Sequence, residues 1–296
     1  MELLERIQSL SSELKVLVVG ETIIDEFVNV SYEGQSMKSM CPVFRLEGEK
    51  TEQEGGAGAI ANHLRPFVKD LKLVTNENRE IVKTRYVDVG DEKKHVEVNK
   101  FDTSSFGPFS VDVTAYDVVI VADFGHGFCN EIDINEGFHL MCQTNSNNFG
   151  FNRLSKWKDY RKKSVCLDLR EASLQMNKRI KKMDRQSALD LYGYEMNTED
   201  LFATIGKDGA VYTNGSDVIF HPSFKSEIVD TIGAGDTFFA FACLMSHLDL
   251  DPKEILTLPS LAASLSTTWL CNEKSVTPQL LQDYAKGKDT VVPKSL

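Results

Sequence analysis

The 296-residue chain has no Cys-x-x-Cys pair, no basic surplus, no long apolar run and no serine-centred nucleophile elbow, and each absence removes a class of function. Its six cysteines, Cys41, Cys129, Cys142, Cys166, Cys243 and Cys271, are scattered without metal-ligand spacing. They read as reduced thiols and place the expected compartment in the cytoplasm. A formal charge of −11 and a pI near 5.1 argue against nucleic acid or an anionic membrane as the main partner. Any anionic substrate must then be held by a few local cations and backbone amides. The most apolar stretch, Phe238 to Met245, is far too short to span a bilayer. Met1 to Leu10 is acidic and amphipathic, so no signal peptide is expected.

What is present suffices for a folded α/β chain: 42% hydrophobic residues support a real core, in one large domain or two small ones. Leu3, Leu4, Ile7 and Leu10 give a lead-in helix, and Lys15 to Gly20 reads as a buried parallel strand. Beyond that strand comes Asp25, near the strand end where open α/β sheets bind ligands, as either a turn former or a ligand contact. Cys41 to Leu46 suggests a short edge strand. Gly55 and Gly56 then open a helix of small residues carrying Asn62, which both donates and accepts.

Leu71–Thr75, Ile81–Asp88 and Lys93–Phe101 read as further strands, with Lys83 and Arg85 on one face as a solvated surface or as recognition of phosphate or carboxylate. Tyr116 to Ala122 is the clearest buried strand, and it delivers Asp123-Phe124-Gly125-His126-Gly127. With no second histidine at ligand spacing, this reads as a glycine-hinged loop lining a pocket, His126 being a substrate contact. Gln143 to Asn148 is a polar cluster read as a turn. Val165 to Glu171 is another strand ending in carboxylates, and Phe202 to Tyr212 is a strand, a turn at Gly206 and Gly209, and a strand. Two late helices are expected over Asp251–Leu265 and Thr277–Lys286, with Asn272 between them.

The strongest signal is Asp230-Thr231-Ile232-Gly233-Ala234-Gly235-Asp236, running into a helix of small and aromatic residues. A glycine turn opening a helix gathers unpaired amides at the positive end of the helix dipole, where a transferring phosphoryl group fits. Asp236 stands at its mouth as a proton acceptor. This string resembles that of the ribokinase-like (PfkB) carbohydrate kinases, and the resemblance runs from about Lys15 to Ala285. It implies a mainly parallel sheet flanked by helices with a small β lid, all in a single kinase domain over residues 1–296. The lid is expected at about residues 28–54 and 83–101.

The resemblance further implies ATP and Mg²⁺, with transfer of the γ-phosphoryl group to a hydroxyl of a sugar or sugar phosphate. Asp236 is the expected base, and the amides of Ala234, Gly235 and Asp236 after Gly233 form the anion hole. Asp25, Gly55, Gly56, Asn62, Lys83, Arg85, Asp123 and His126 face the acceptor. Thr204, Gly206, Gly209, Thr231, Glu171 and Asn272 lie along the nucleotide, Glu171 meeting the metal through water. Where the family carries Asn-x-x-Glu, this chain has Asp168-x-x-Glu171. Gly55 to Ala57, Lys83 to Arg85, Asp123 to Gly127 and Gln143 to Asn145 look most like the branch of heptose-phosphate kinases and polysaccharide-assembly sugar kinases. Only eighteen residues separate Leu64 from Lys83, where relatives fit another helix and strand. That shortening predicts an open sheet edge or an exposed pocket, so that either a partner covers the edge or activity is reduced; a homodimer through the lid is a further expectation. A kinase-shaped binding subunit and a nucleoside or vitamin kinase remain as alternatives.

Overall fold

The computed structural model describes residues 2–77, 79–102, 104–135, 137–143, 152–194, 197–248, 250–286 and 294–295. Most of the polar cluster expected as a turn, from Thr144 to Asn148, lies outside them. In chain order the strands are β1 (Lys15–Gly20), β2 (Thr22–Gln35), β3 (Pro42–Leu46), β4 (Thr51–Gly56), β5 (Asp70–Val74), β6 (Val82–Asp88), β7 (Lys94–Lys100), β8 (Phe109–Ser110), β9 (Val118–Asp123), β10 (Ile132–Asp133), β11 (Phe138–Cys142), β12 (Lys162–Asp168), β13 (Thr198–Thr204), β14 (Ala210–Thr213), β15 (Val218–His221) and β16 (Lys294–Ser295). The helices are α1 (Glu2–Ser11), α2 (Ala57–Leu64), α3 (Leu169–Gln175), α4 (Arg185–Gly193), α5 (Ala234–His247), α6 (Thr257–Ser266) and α7 (Pro278–Lys286).

Nine strands form the main sheet in the order β16-β15-β14-β13-β12-β11-β9-β1-β5. From β13 through β5 neighbouring strands run parallel, and β14, β15 and β16 add antiparallel. A strand buried on both faces must be apolar at every position, and alternate side chains of β1 show why: Val16 and Val18 enter one core while Leu17 and Val19 enter the other. The first core holds α2, α5 and α6, with α5 packed on both of those helices; the second holds α3 and α4 residues such as Ala172 and Leu191. Gly20 closes β1 because a side chain there would run into the Ala122 carbonyl of β9. β5 pairs only with β1 and so ends the sheet among the described residues, the open edge that the short Leu64–Lys83 interval predicts.

The second sheet is the lid. β2 is long enough, at 14 residues, to leave the core and pair with β4 near its start, with β3 near its end and with β6 along its other side, after which β7 returns on β6. The lid thus begins at Thr22, a little before the expected residue 28. β7 is exposed along its whole length. β11 is a fully buried strand that patterning leaves unassigned, because five apolar residues carry no period. α6 starts at Thr257, six residues later than expected. Among the described residues no helix is long and apolar enough to cross a membrane.

Candidate active site

α5 begins where it does because Gly233 turns left-handed, with φ 81°. A Cβ there would also strike the Asn272 carboxamide. The amides of Gly235 and Asp236 have no protein acceptor among the described residues, whereas that of Ala234 turns back 3.3 Å to the Thr231 carbonyl. Two free amides therefore sit at the helix start, where three were expected, and a Cβ on Gly235 would meet nothing within 4 Å. The turn is braced from behind. His63 Nδ1 accepts the Val276 N–H at 3.0 Å, so its Nε2 carries the proton and donates to Thr237 Oγ1 at 3.0 Å; that hydroxyl donates in turn to the Gly233 carbonyl at 3.0 Å.

Asp236, the third residue of α5, accepts the Gly56 N–H. Burial, reinforced by the charge of Asp25, pushes its carboxyl up to about 7, while Lys83 and the Gly56 amide pull it back. Asp25 on β2 lies in register with Lys83 on β6. It is buried, bonded by Arg85 Nη1, and approached at 3.8 Å by the Cys271 thiol. Lys83 is half-buried; desolvation holds its ammonium below the ordinary lysine range against the upward pull of Glu97, Asp25 and Asp236. Gly55 and Gly56 are needed where they stand. A side chain at Gly55 would collide with the Asp25 carboxylate, and Gly56 has φ 62° with the Phe124 ring against it.

Several expected contacts are placed differently. Arg85 turns inward: its guanidinium is buried, bonds Asp25 and lies 3.0 Å from Glu97 Oε2, so its charge organises these carboxylates. Asn62 donates to Glu54 Oε2 at 2.9 Å. Asn272, expected at the nucleotide, instead wedges its carboxamide between Gly55 and Gly233, with its own N–H on Gln53 Oε1 at 2.8 Å. It joins lid base to helix start.

Asp123, expected to face the acceptor, lies beneath the loop. It is fully buried and its carboxylate accepts from the Gly125 amide at 3.2 Å, Asn152 at 2.9 Å and Trp157 Nε1 at 2.8 Å, with Lys156 Nζ at 2.6 Å. A carboxylate so saturated shapes the loop from beneath and leaves no lone pair for a substrate. Glu21, which the motifs pass over, does the same: its oxygens accept the amides of Phe124 at 2.7 Å, His126 at 3.2 Å and Phe128 at 3.1 Å. Burial, then Asp123, raises its carboxyl to about 7. Glu21, Asp123 and Cys129 lie within 4.8 Å of one another, but these donors already occupy the oxygens, and a cation does not fit. His126 is buried, and neither ring nitrogen has a partner among the described residues.

On the far side of α5, Asp168 and Glu171 cap α3 reciprocally, Glu171 Oε2 accepting the Asp168 N–H at 2.8 Å and Asp168 Oδ1 accepting the Glu171 N–H at 2.6 Å. Asp168 is in register with Thr204, at the C-terminal edge of the sheet. Two carboxylates at that edge form an all-oxygen donor set, which suits Mg²⁺ held through water. Gly206 has open space beside it, whereas Gly209, at φ 115°, is required by the His221 carbonyl and Pro222 that a side chain would strike. Thr231 is exposed. The loop before it is tied to the lid. Lys94 Nζ on β7 lies 2.7 Å from Asp230 Oδ2, and Asp230 Oδ1 accepts the amides of Thr231 at 2.8 Å and Ile232 at 3.2 Å.

The model of the pfkB family carbohydrate kinases matches residues 164–269. A ribokinase of Bacillus subtilis is 46% identical over 66 residues, covering 22% of each chain. The bifunctional protein HldE of Campylobacter fetus subsp. fetus is 24% identical over 85% of this chain, which spans 62% of that protein's length. The crystal structure of a Thermotoga maritima ribokinase superposes with a TM-score of 0.69 at 15% identity, covering 93% of this chain and all (100%) of that one. The family model thus marks residues 164–269 as similar to the pfkB carbohydrate kinases, and the superposition shows that the chain as a whole has the ribokinase-like fold.

Proposed function

We propose that the chain transfers the γ-phosphoryl group of ATP to a hydroxyl of a sugar or sugar phosphate, with Asp236 as the general base. The observation that carries this reading is a carboxylate poised near neutrality beside two acceptor-free amides at the start of α5. A base works best when its pKa lies near the operating pH. Asp236 takes the hydroxyl proton as the oxygen attacks the γ-phosphorus; the bond from that phosphorus to its bridging oxygen breaks, and ADP carries the electron pair away. The amides of Gly235 and Asp236 hold the charge that builds on the phosphoryl oxygens, each donor contributing about 3 kcal/mol by analogy with oxyanion holes.

Lys83, drawn upon by Glu97, Asp25 and Asp236, is the half-buried cation of the acceptor side, and Arg85 fixes Asp25 behind it. Asp168 and Glu171 would hold Mg²⁺ through water, and the ion would supply neutralisation of phosphate charge. Core and lid act as one kinase domain in this reading. ADP release measured across sugars and sugar phosphates tests it. Asp236→Asn should still bind ATP and lose about 10²–10⁴-fold in kcat; an active variant sinks the assignment.

A further inference from the structure

The densest run of positive charge is Lys178-Arg179-Ile180-Lys181-Lys182, four cations in five residues of a chain that carries 33 Lys and Arg against 44 Asp and Glu. It lies between α3 and α4, on the face of the main sheet opposite α5. The loop is fixed from beneath. Asn177 turns left-handed at φ 48°, the Lys178 and Ile180 amides donate to the Ser173 carbonyl at 3.0 Å and hydroxyl at 3.1 Å, and Ile180 and Met183 are buried in the second core. With its apolar side chains turned in, all four cations stand exposed.

Beside this loop lies a cavity of about 300 Å³, bordered by the four cations, Met176 and Ser187, with Asp184 and Asp190 on the α4 side. Its size reaches the range of small-molecule sites. The charges around it are one-sided. None of the four cations is in an ion pair among the described residues, whereas Lys50, Arg85, Lys94, Lys156 and Lys163 each meet a carboxylate. The two carboxylates are engaged on α4 itself: Asp184 Oδ1 accepts the Ser187 N–H at 2.9 Å and Asp190 Oδ1 accepts from Gln186 Nε2 at 2.7 Å, Lys182 acting on Asp184 only through space. The Ser187 hydroxyl has no partner among the described residues. Like charges held this close repel one another, and four cations against two carboxylates leave a surplus that a multiply charged anion offsets. Phosphate oxygens suit both the ammonium groups and the planar fork of Arg179.

We infer that this cavity is a second anion site, apart from the start of α5, and that it takes a ligand carrying a diphosphate group. Inorganic diphosphate and a nucleoside diphosphate share that chemistry. The inference stands independently of the phosphoryl-transfer reading. Its test is inorganic diphosphate titrated at constant ionic strength into the full chain labelled with [methyl-¹³C]methionine. Met176 borders the cavity, so its resonance, assigned with Met176→Leu, separates binding here from binding at α5. Diphosphate should shift it saturably. Arg179→Ala with Lys182→Ala should weaken that binding about tenfold, as two exposed charge contacts imply, and leave the melting temperature unchanged because both side chains are exposed. ADP is the second arm: tighter binding than diphosphate adds the nucleoside to the ligand, equal or weaker binding leaves the bare phosphates, and both orders support the site. An unmoved Met176 resonance, an equal shift with chloride at matched ionic strength, or unchanged affinity in the double variant overturns it. A shift with poly-L-glutamate and none with diphosphate overturns it too, and makes the patch a surface for an acidic protein. A wild-type chain that binds diphosphate here and phosphorylates no sugar would remove the kinase reading and leave the site standing.

Discussion

Asp236 carries two opposed consequences of its surroundings. Burial and Asp25 raise its carboxyl to about 7, so the protonated form persists to neutrality and the base is formed only as pH rises through that value. kcat should therefore climb with pH across roughly 6 to 8 and level off above, and a kcat profile flat across that interval would contradict the assignment. The same shift makes Asp236 costly to the fold. The carboxyl ionises near 3.8 in the unfolded chain but only near 7 in the fold, so above pH 7 the ionised side chain destabilises the native chain. Asp236→Asn, which still accepts the Gly56 N–H, should stabilise at pH 8 by about 2 kcal/mol after allowing for partial exposure, read by urea unfolding. Arg85 shows the reverse arrangement. Its pairing with Asp25 was hidden in the sequence, since spacing puts Lys83 and Arg85 on one face but says nothing about which carboxylate lies across the strand pair.

At the scale of elements, the site is held by links between lid and core. Lys94 on β7 reaches Asp230, whose other oxygen fixes the first amides of the anion loop. Asp230 is 8% exposed at its side chain and Lys94 29%, so the pair is shielded well enough to matter. Lys94→Ala should uncouple lid from loop and lower kcat/KM about tenfold, equivalent to about 1.4 kcal/mol, with little change in melting temperature. Raising ionic strength should weaken the wild type in the same direction. A variant with unchanged kcat/KM would reduce the pair to a surface contact. The elements on either side of this link were largely legible: the apolar runs of β1 and β9, the alternation of β6 and the glycine turn before α5 are local patterns. Glu21, Lys94, Gln53 and Cys271 were not, because each acts on a partner 100 or more residues away, or across a sheet contact that no local period encodes. The Asp168–Glu171 cap was the opposite case, a local motif in which Glu171 was read for metal chemistry while the two residues together close a helix end.

Taken whole, the molecule stores titratable groups of opposite sense in its core. Burial lowers His63 and His126 to about 4 and His139 to about 3, and moves His221 and His247 the same way. The unfolded state protonates these rings near 6.5 while the folded state does not, so their effect is absent above pH 7 and costs stability as pH falls toward 4. Asp236 and Glu21 pull the other way. Both titrate near 7 in the fold, so between pH 7 and 4 the folded state takes up protons that the unfolded carboxylates refuse, and acid relieves their cost. The three imidazoles lowered furthest, with His221 and His247 acting in the same sense, outweigh the two carboxyls and leave the unfolded state at least one proton ahead. The wild type should therefore lose at least about 1.4 kcal/mol per pH unit between 6 and 4.5. Asp236→Asn removes one of the compensating carboxyls, so its slope should steepen by about a further 1.4 kcal/mol per unit, and its advantage at pH 8 should shrink toward pH 4. Urea midpoints of both chains at pH 8, 6, 5 and 4.5 measure this. Parallel curves would mean that Asp236 titrates alike in the folded and unfolded states, and would take the neutral-pH base with them.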